Sequence, residues 1–188
     1  RLLRTPVVVD WWETDADRGS SGQYRKAARK ADRVTVPSET VRTAVREHDV
    51  PADDVCVLPE SVVFETVRSA GVDDRADVVY MRDPIDADAN VESFLLALAE
   101  LRDRDWRAAV IGDGSGQGTA RQSAADLRID DRVEFLGALE PAEFVPVLKG
   151  AHVFAQTATR EPFANGLLWG RACGCVGIGE YPAGLSAD

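Results

Sequence analysis

The residues best placed to do chemistry stand together in one stretch, Glu161-Pro162-Phe163-Ala164-Asn165-Gly166-Leu167-Leu168-Trp169-Gly170-Arg171-Ala172-Cys173-Gly174. An apolar run precedes it, and the spacing predicts a helix from about Phe163 to Cys173. A carboxylate would then sit at the carboxyl end of a strand, beside the free amides of a helix's first turn. Such amides and the helix dipole together attract anions, and a diphosphate suits them. Glu161 also has a plainer explanation as a charge that stabilises a helix start. A second glycine-rich turn, Gly112-Asp113-Gly114-Ser115-Gly116, lacks the Lys-Ser or Lys-Thr of a nucleotide-triphosphate loop and the glycine spacing of a dinucleotide site. It reads as a tight turn beside a ligand cleft. Cys56, Cys173 and Cys175 are too few for a disulfide framework and lack the companions of a zinc site, so they read as small buried residues. His48 and His152 have no partners that suggest a triad or a metal.

The elements that must position these residues follow an alternating rhythm. From Ala76 onward, strands are expected at 78–81, 108–111, 133–136, 152–155 and 175–178, with helices at about 90–104, 119–127, 140–149 and 163–173. Alternation of this kind belongs to a parallel sheet covered by helices, whose ligands sit at the carboxyl edge. Residues 1–60 repeat the rhythm, with strands at 7–10, 33–36 and 55–58 and helices at 22–31 and 38–48, the second opened by Ser38 as its cap. Pro59, Gly71 and Asp73-Asp74 mark residues 61–75 as a linker. The chain opens without methionine and runs at once into a strand, so a piece of a longer α/β protein is expected. Trp11 and Trp12, at the end of the first strand, are read either as facing a cleft between domains or as packing residues.

The Glu161 stretch resembles the Glu-Pro-Phe-Gly…Glu-Ala-Met-Ala-Cys-Gly segment of the retaining family 4 (group 1) glycosyltransferases. Ala31-Asp32-Arg33-Val34-Thr35-Val36-Pro37-Ser38, Val57-Leu58-Pro59-Glu60-Ser61, Ile111-Gly112-Asp113-Gly114 and Asp131-Arg132-Val133-Glu134-Phe135-Leu136-Gly137 resemble further segments of that family, in order. The resemblance covers roughly residues 31–188 and implies an α/β, GT-B-like fold. Residues 1–60 would be the remnant of an acceptor-side Rossmann-like domain, and 76–188 a donor-binding Rossmann-like domain incomplete at its end. It also implies transfer of a sugar from a nucleotide-sugar donor to a glycan, lipid or small-molecule acceptor, with retention and with neither metal nor cofactor. Glu161 and Arg82 would be catalytic, the first touching the transferred sugar and the second the diphosphate. Gly112, Phe163, Ala164, Asn165, Gly166, Leu167 and Trp169 would line the donor site. Two of the family's side chains are replaced: the second glutamate of its pair falls on Trp169, and its diphosphate lysine on Ala89. Trp169 reads either as packing or as stacking on the donor. These replacements also support a non-catalytic binding or partner module as the alternative function.

The net charge is −10, and Lys26, Lys30 and Lys149 are the only lysines. An acidic surface repels phosphate backbones, so no nucleic-acid partner is expected. No apolar run reaches the roughly 18 to 20 residues of a membrane span, and a soluble, cytoplasmic piece is expected. Membrane association, if present, would be peripheral and run through the missing amino-terminal part. Dense carboxylates point instead to solvation at high salt. On dilution from molar salt into dilute buffer the protein is expected to unfold, as followed by far-ultraviolet circular dichroism; full retention of structure there would remove the halophilic reading.

Overall fold

The computed structural model describes residues 5–12, 21–159 and 164–179. The chain divides into two compact units, with the change at Glu60 and Ser61.

In the first unit, strands β1 (Val8–Asp10), β2 (Arg33–Val36) and β3 (Val55–Val57) form a parallel sheet in the order β1-β2-β3. Helices α1 (Ser21–Ala28) and α2 (Glu39–Arg46) lie between them in sequence. Val41 and Val45, four apart, share one side of α2 and enter a core made with Val34, Val36, Val50 and Val55. Ser38 is the cap, its Oγ accepting a hydrogen bond from the Val41 N–H at 3.3 Å. Trp11 belongs to this core, with its ring 5.8 Å from that of His48. Trp12 donates its indole N–H to Asp10 Oδ2 at 2.7 Å.

The second unit begins with α3 (Phe64–Ser69), inside the stretch expected as linker. The sheet that follows comprises β4 (Val78–Met81), β5 (Ala108–Ile111), β6 (Val133–Gly137), β7 (Val153–Gln156) and β8 (Val176–Gly179). All pairings are parallel, in the order β6-β5-β4-β7-β8. The intervening helices are α4 (Val91–Glu100), α5 (Gln117–Asp126), α6 (Pro141–Gly150) and α7 (Asn165–Ala172).

Successive side chains of a strand point to opposite faces, and both faces of this sheet are covered. Tyr80, Ala108 and Val110 pack under Phe94, Leu95 and Leu98 of α4 and Ala120 and Ala124 of α5. Val79, Ala109, Ile111 and Phe154 pack under Val67 of α3, Phe144, Val147 and Leu148 of α6, and Trp169 of α7. Double coverage is why β4 and β5 read as unbroken apolar runs. Lys149 donates to the carbonyls of Val67 and Ala70, tying the carboxyl end of α3 to α6. Cys175 is buried and Cys173 half-buried, but Cys56 is exposed, contrary to its reading as a buried residue; it lies on β3, an edge strand of its three-stranded sheet.

Helix α7 meets the sheet through glycine. A Cβ on Gly170 would lie 2.6 Å from Cγ of Phe154, whereas one on Gly118 of α5 would meet nothing within 4 Å. The same substitution should therefore act in opposite directions. Gly170→Ala is expected to destabilise by about 1–3 kcal/mol through overpacking, and Gly118→Ala to stabilise by about 0.5–1 kcal/mol through helix propensity. Equilibrium denaturant unfolding of both variants checks this; equal effects would refute the close packing of α7.

Candidate functional site

In an open parallel sheet the chain leaves to opposite sides at the strand where the order reverses, and the diverging loops open a crevice at the carboxyl edge. Here that place lies between β4 and β7: β5 and β6 extend the sheet one way and β7 and β8 the other. Arg82 follows β4 directly, and α7 begins after β7. A Cβ on Gly166 would stand 3.0 Å from the Met81 carbonyl oxygen and 2.9 Å from Cζ of Phe154. The first turn of α7 is thus set against the end of β4, one residue from Arg82.

Backbone bonds and glycines hold the loop that carries Arg82. The Arg82 N–H donates to Ile111 O at 3.0 Å, Ile85 N–H to Asp113 O at 2.7 Å, and Gly116 N–H to Ile85 O at 2.9 Å. Gly112 has φ +127°, and a Cβ there would lie 1.8 Å from the Arg82 carbonyl oxygen. Its own N–H donates to Gly137 O at 2.7 Å. The glycine-rich turn is the seat of the Arg82 loop, and the Gly112 amide is already engaged within the sheet edge.

The Arg82 side chain is 15 % exposed, and its Nη1 lies 3.0 Å from Asp86 Oδ1. That oxygen also accepts the Asp88 N–H at 3.0 Å, capping a single 3₁₀ turn, Ala87–Ala89. At the end of this turn Ala89 is fully buried in the core over Tyr80, whose hydroxyl donates to its carbonyl at 2.7 Å. Asn90 (φ 50°) ties the loop to the stretch after β7: its Nδ2 donates to Thr157 O at 2.9 Å, and Thr157 Oγ1 donates back to Asn90 O at 2.8 Å. The Thr159 N–H adds a bond to Asp88 O at 3.0 Å. Asp86, Asn90 and Thr157 were not among the residues singled out from sequence. Asp86-x-Asp88 is the spacing of a side-chain-capped turn, a signal that could have found Asp86 but neither Asn90 nor Thr157.

Of the other expected site residues, Glu161 and Phe163 lie outside the described residues. Ala164, just before α7, is buried. Asn165 opens α7 with its Oδ1 buried and unpartnered among the described residues. Leu167 packs toward β8, where a Cβ on Gly177 would lie 2.2 Å from its Cδ1. Trp169 is buried in the core, its ring edge-on to Phe144 at 5.2 Å, so its packing reading describes where it sits. Burial pushes the Cys173 thiol up to about 11, and Cys175 donates its thiol to Leu148 O at 3.1 Å, so neither is poised as a nucleophile. Among the described residues no cluster of His, Cys, Asp or Glu is arranged to hold a metal, and no helix is long and apolar enough to cross a membrane.

Comparison with known proteins agrees with this architecture. Residues 64–179 match the family model of glycosyl transferases group 1, and residues 1–60 that of a glycosyl transferase 4-like domain. The chain is 26% identical to the alpha-monoglucosyldiacylglycerol synthase of Streptococcus pneumoniae, over 69% of this chain and 33% of that protein. Among solved structures, Anabaena HepE in complex with UDP and glucose superposes with a TM-score of 0.81 at 17% identity, covering 95% of this chain and 54% of that one. The sucrose-phosphate synthase of Thermosynechococcus elongatus gives 0.75 at 16% identity, covering 95% and 51%. The chain thus spans about half the length of those structures and a third of the pneumococcal relative. It belongs to the group 1 glycosyltransferases and has their α/β, GT-B fold.

Proposed function

We propose that the whole protein transfers a sugar from a nucleotide-sugar donor, with retention, and that the second unit holds the donor diphosphate between Arg82 and the first turn of α7. The observation that carries this is the position of Arg82: it stands where the strand order reverses, one residue from the carbonyl that Gly166 approaches. As the bond from the anomeric carbon to the diphosphate breaks, charge grows on the departing phosphate oxygen. A fixed guanidinium and helix amides aimed at that charge lower the barrier without reorganising. Glu161 would orient the sugar, and the acceptor oxygen would bond to the anomeric carbon on the face the diphosphate leaves, its proton passing to the departing phosphate oxygen. Asn165 Oδ1, without a partner among the described residues, supports a ligand with hydroxyl or N–H donors at this edge.

The acceptor is a glycan, a lipid or a small molecule, met by parts of the protein that include the first unit. The name of the pneumococcal relative favours keeping a lipid among them. We place the reaction in the cytoplasm, with any membrane contact peripheral and made through other parts of the protein, and with no metal or cofactor required. A non-catalytic binding or partner module is the second reading. It is favoured by Ala89 and Trp169, which occupy the family's lysine and second-glutamate positions and are both buried.

Calorimetric titration of the full-length protein with UDP, GDP and their sugars tests the site. At least one is expected to bind tighter than millimolar, and Arg82→Ala to weaken it about 10- to 100-fold, the worth of one charge-assisted contact. No binding by the wild type would overturn the donor site. Binding with neither transfer nor donor hydrolysis would select the second reading.

A further inference from the structure

Resting on that reading, we propose that Asp86 is the positioning residue of the donor site: its carboxylate fixes the Arg82 guanidinium in the orientation that meets the diphosphate. A guanidinium 15 % exposed needs an opposite charge close by, since an uncompensated buried charge is strongly unfavourable. Asp86 supplies it at 3.0 Å, from within the same loop. The backbone around Arg82 is already immobilised, by the bonds to Ile111 and Asp113 on one side and by the Asn90–Thr157 exchange on the other. The remaining freedom of the arginine is in its side chain, and the Asp86 contact restricts it. One oxygen, Oδ1, does two jobs, accepting from Arg82 Nη1 and from the Asp88 N–H that starts the turn toward α4. Through this oxygen it engages Nη1, one of the five N–H donors that a guanidinium carries. The resemblance places the family's second cation at Ala89, so under this proposal the diphosphate falls to Arg82 among the described residues.

A carboxylate beside an anion site also repels the ligand, and the sign of the effect separates the two roles. Asn at this position keeps an acceptor oxygen for both hydrogen bonds and removes the charge; Ala removes all three. UDP and GDP are titrated against the full-length wild type, Arg82→Ala, Asp86→Ala, Asp86→Asn and the Arg82→Ala/Asp86→Ala double variant. Asp86→Ala is expected to weaken nucleotide binding by about tenfold or more and Asp86→Asn to stay within about threefold of wild type. In the double variant the Asp86 change should cost nothing further, because a residue that acts through Arg82 has no effect once Arg82 is gone. A purely structural role would add its cost to that of Arg82→Ala, and this outcome overturns the proposal. Unchanged or tighter binding by Asp86→Ala overturns it too, as does tightening by Asp86→Asn of more than about tenfold, which would reveal net repulsion. If Asp86→Ala does not fold, Asp86→Ser, which can still cap the turn but is too short to reach the guanidinium, takes its place alone and on Arg82→Ala, with the same outcomes expected. Loss of binding in Arg82→Ala with none of the Asp86 effects sinks this inference alone; no effect of Arg82→Ala sinks the donor-site reading beneath it.

Discussion

Helix α7 rests on the ring of Phe154 with no side chain between them, and the geometry of the candidate site depends on that contact. Gly166 and Gly170 are four apart, so they lie on one side of the helix, and both face the buried phenyl ring. Glycine lowers helix propensity, by about 1 kcal/mol against alanine at each such position, and here the loss is offset by a closer approach of helix to sheet. Any side chain at Gly170 would lift α7 and draw its first turn away from Met81 and Arg82. At its flank Trp169 meets Phe144 edge-on, so α7 is held by the sheet beneath it and by α6 beside it on the same face. The helix end offered to an anion is positioned by aromatic packing beneath and beside it.

The loop after β4 is fixed by a different means. It is short of apolar anchors, with Ile85 and Ala89 its fully buried side chains. Backbone bonds to the Gly112 turn and reciprocal bonds between Asn90 and Thr157 supply the order instead. Such a loop loses little entropy when a ligand binds, since its conformation is already paid for by folding. The glycines at 112 and 114 are needed because the Arg82 and Ile85 backbones press onto them, and their positive φ suits only residues without a side chain.

Much of this fold was legible in the sequence, for physical reasons that differ along the chain. β4 and β5 showed as continuous apolar runs because both faces are buried, and α2 was marked at its start by Ser38, which caps it in the structure. α3 was missed because it is six residues long and owes its order to α6, through Val67 and the Lys149 clamp, rather than to its own propensity. In the site, residue type was visible but its cause was not. Gly112 and Gly166 carry glycine because backbone or ring crowds their α-carbons, and a sequence cannot tell that demand from the demand of a phosphate. The Thr157 contact was hidden because it joins separate loops, Thr157 lying 67 positions from its partner Asn90, whereas the Asp86 contacts are local to its own loop. Arg82 was singled out only through the resemblance, near the start of the stretch from Met81 to Asn90 that resembles the family's Gly-Arg…Lys segment.

The two positions at which the resemblance implies a replaced family residue are not simple vacancies. Ala89 is fully buried over Tyr80, so a lysine there would have to bury an ammonium among apolar groups or break the 3₁₀ turn that Asp86 caps. Trp169 is a core residue, and a glutamate there would remove a large ring from its contact with Phe144, a loss of about 3–5 kcal/mol for truncations of that kind, and leave a carboxylate to desolvate. Each replacement is therefore built into the packing around it, and neither position can regain the family's side chain without rebuilding its neighbours. On the proposed reading, a donor here would be held without those two charges. On that reading the guanidinium of Arg82 and the amides at the start of α7 are the groups among the described residues that would hold its diphosphate.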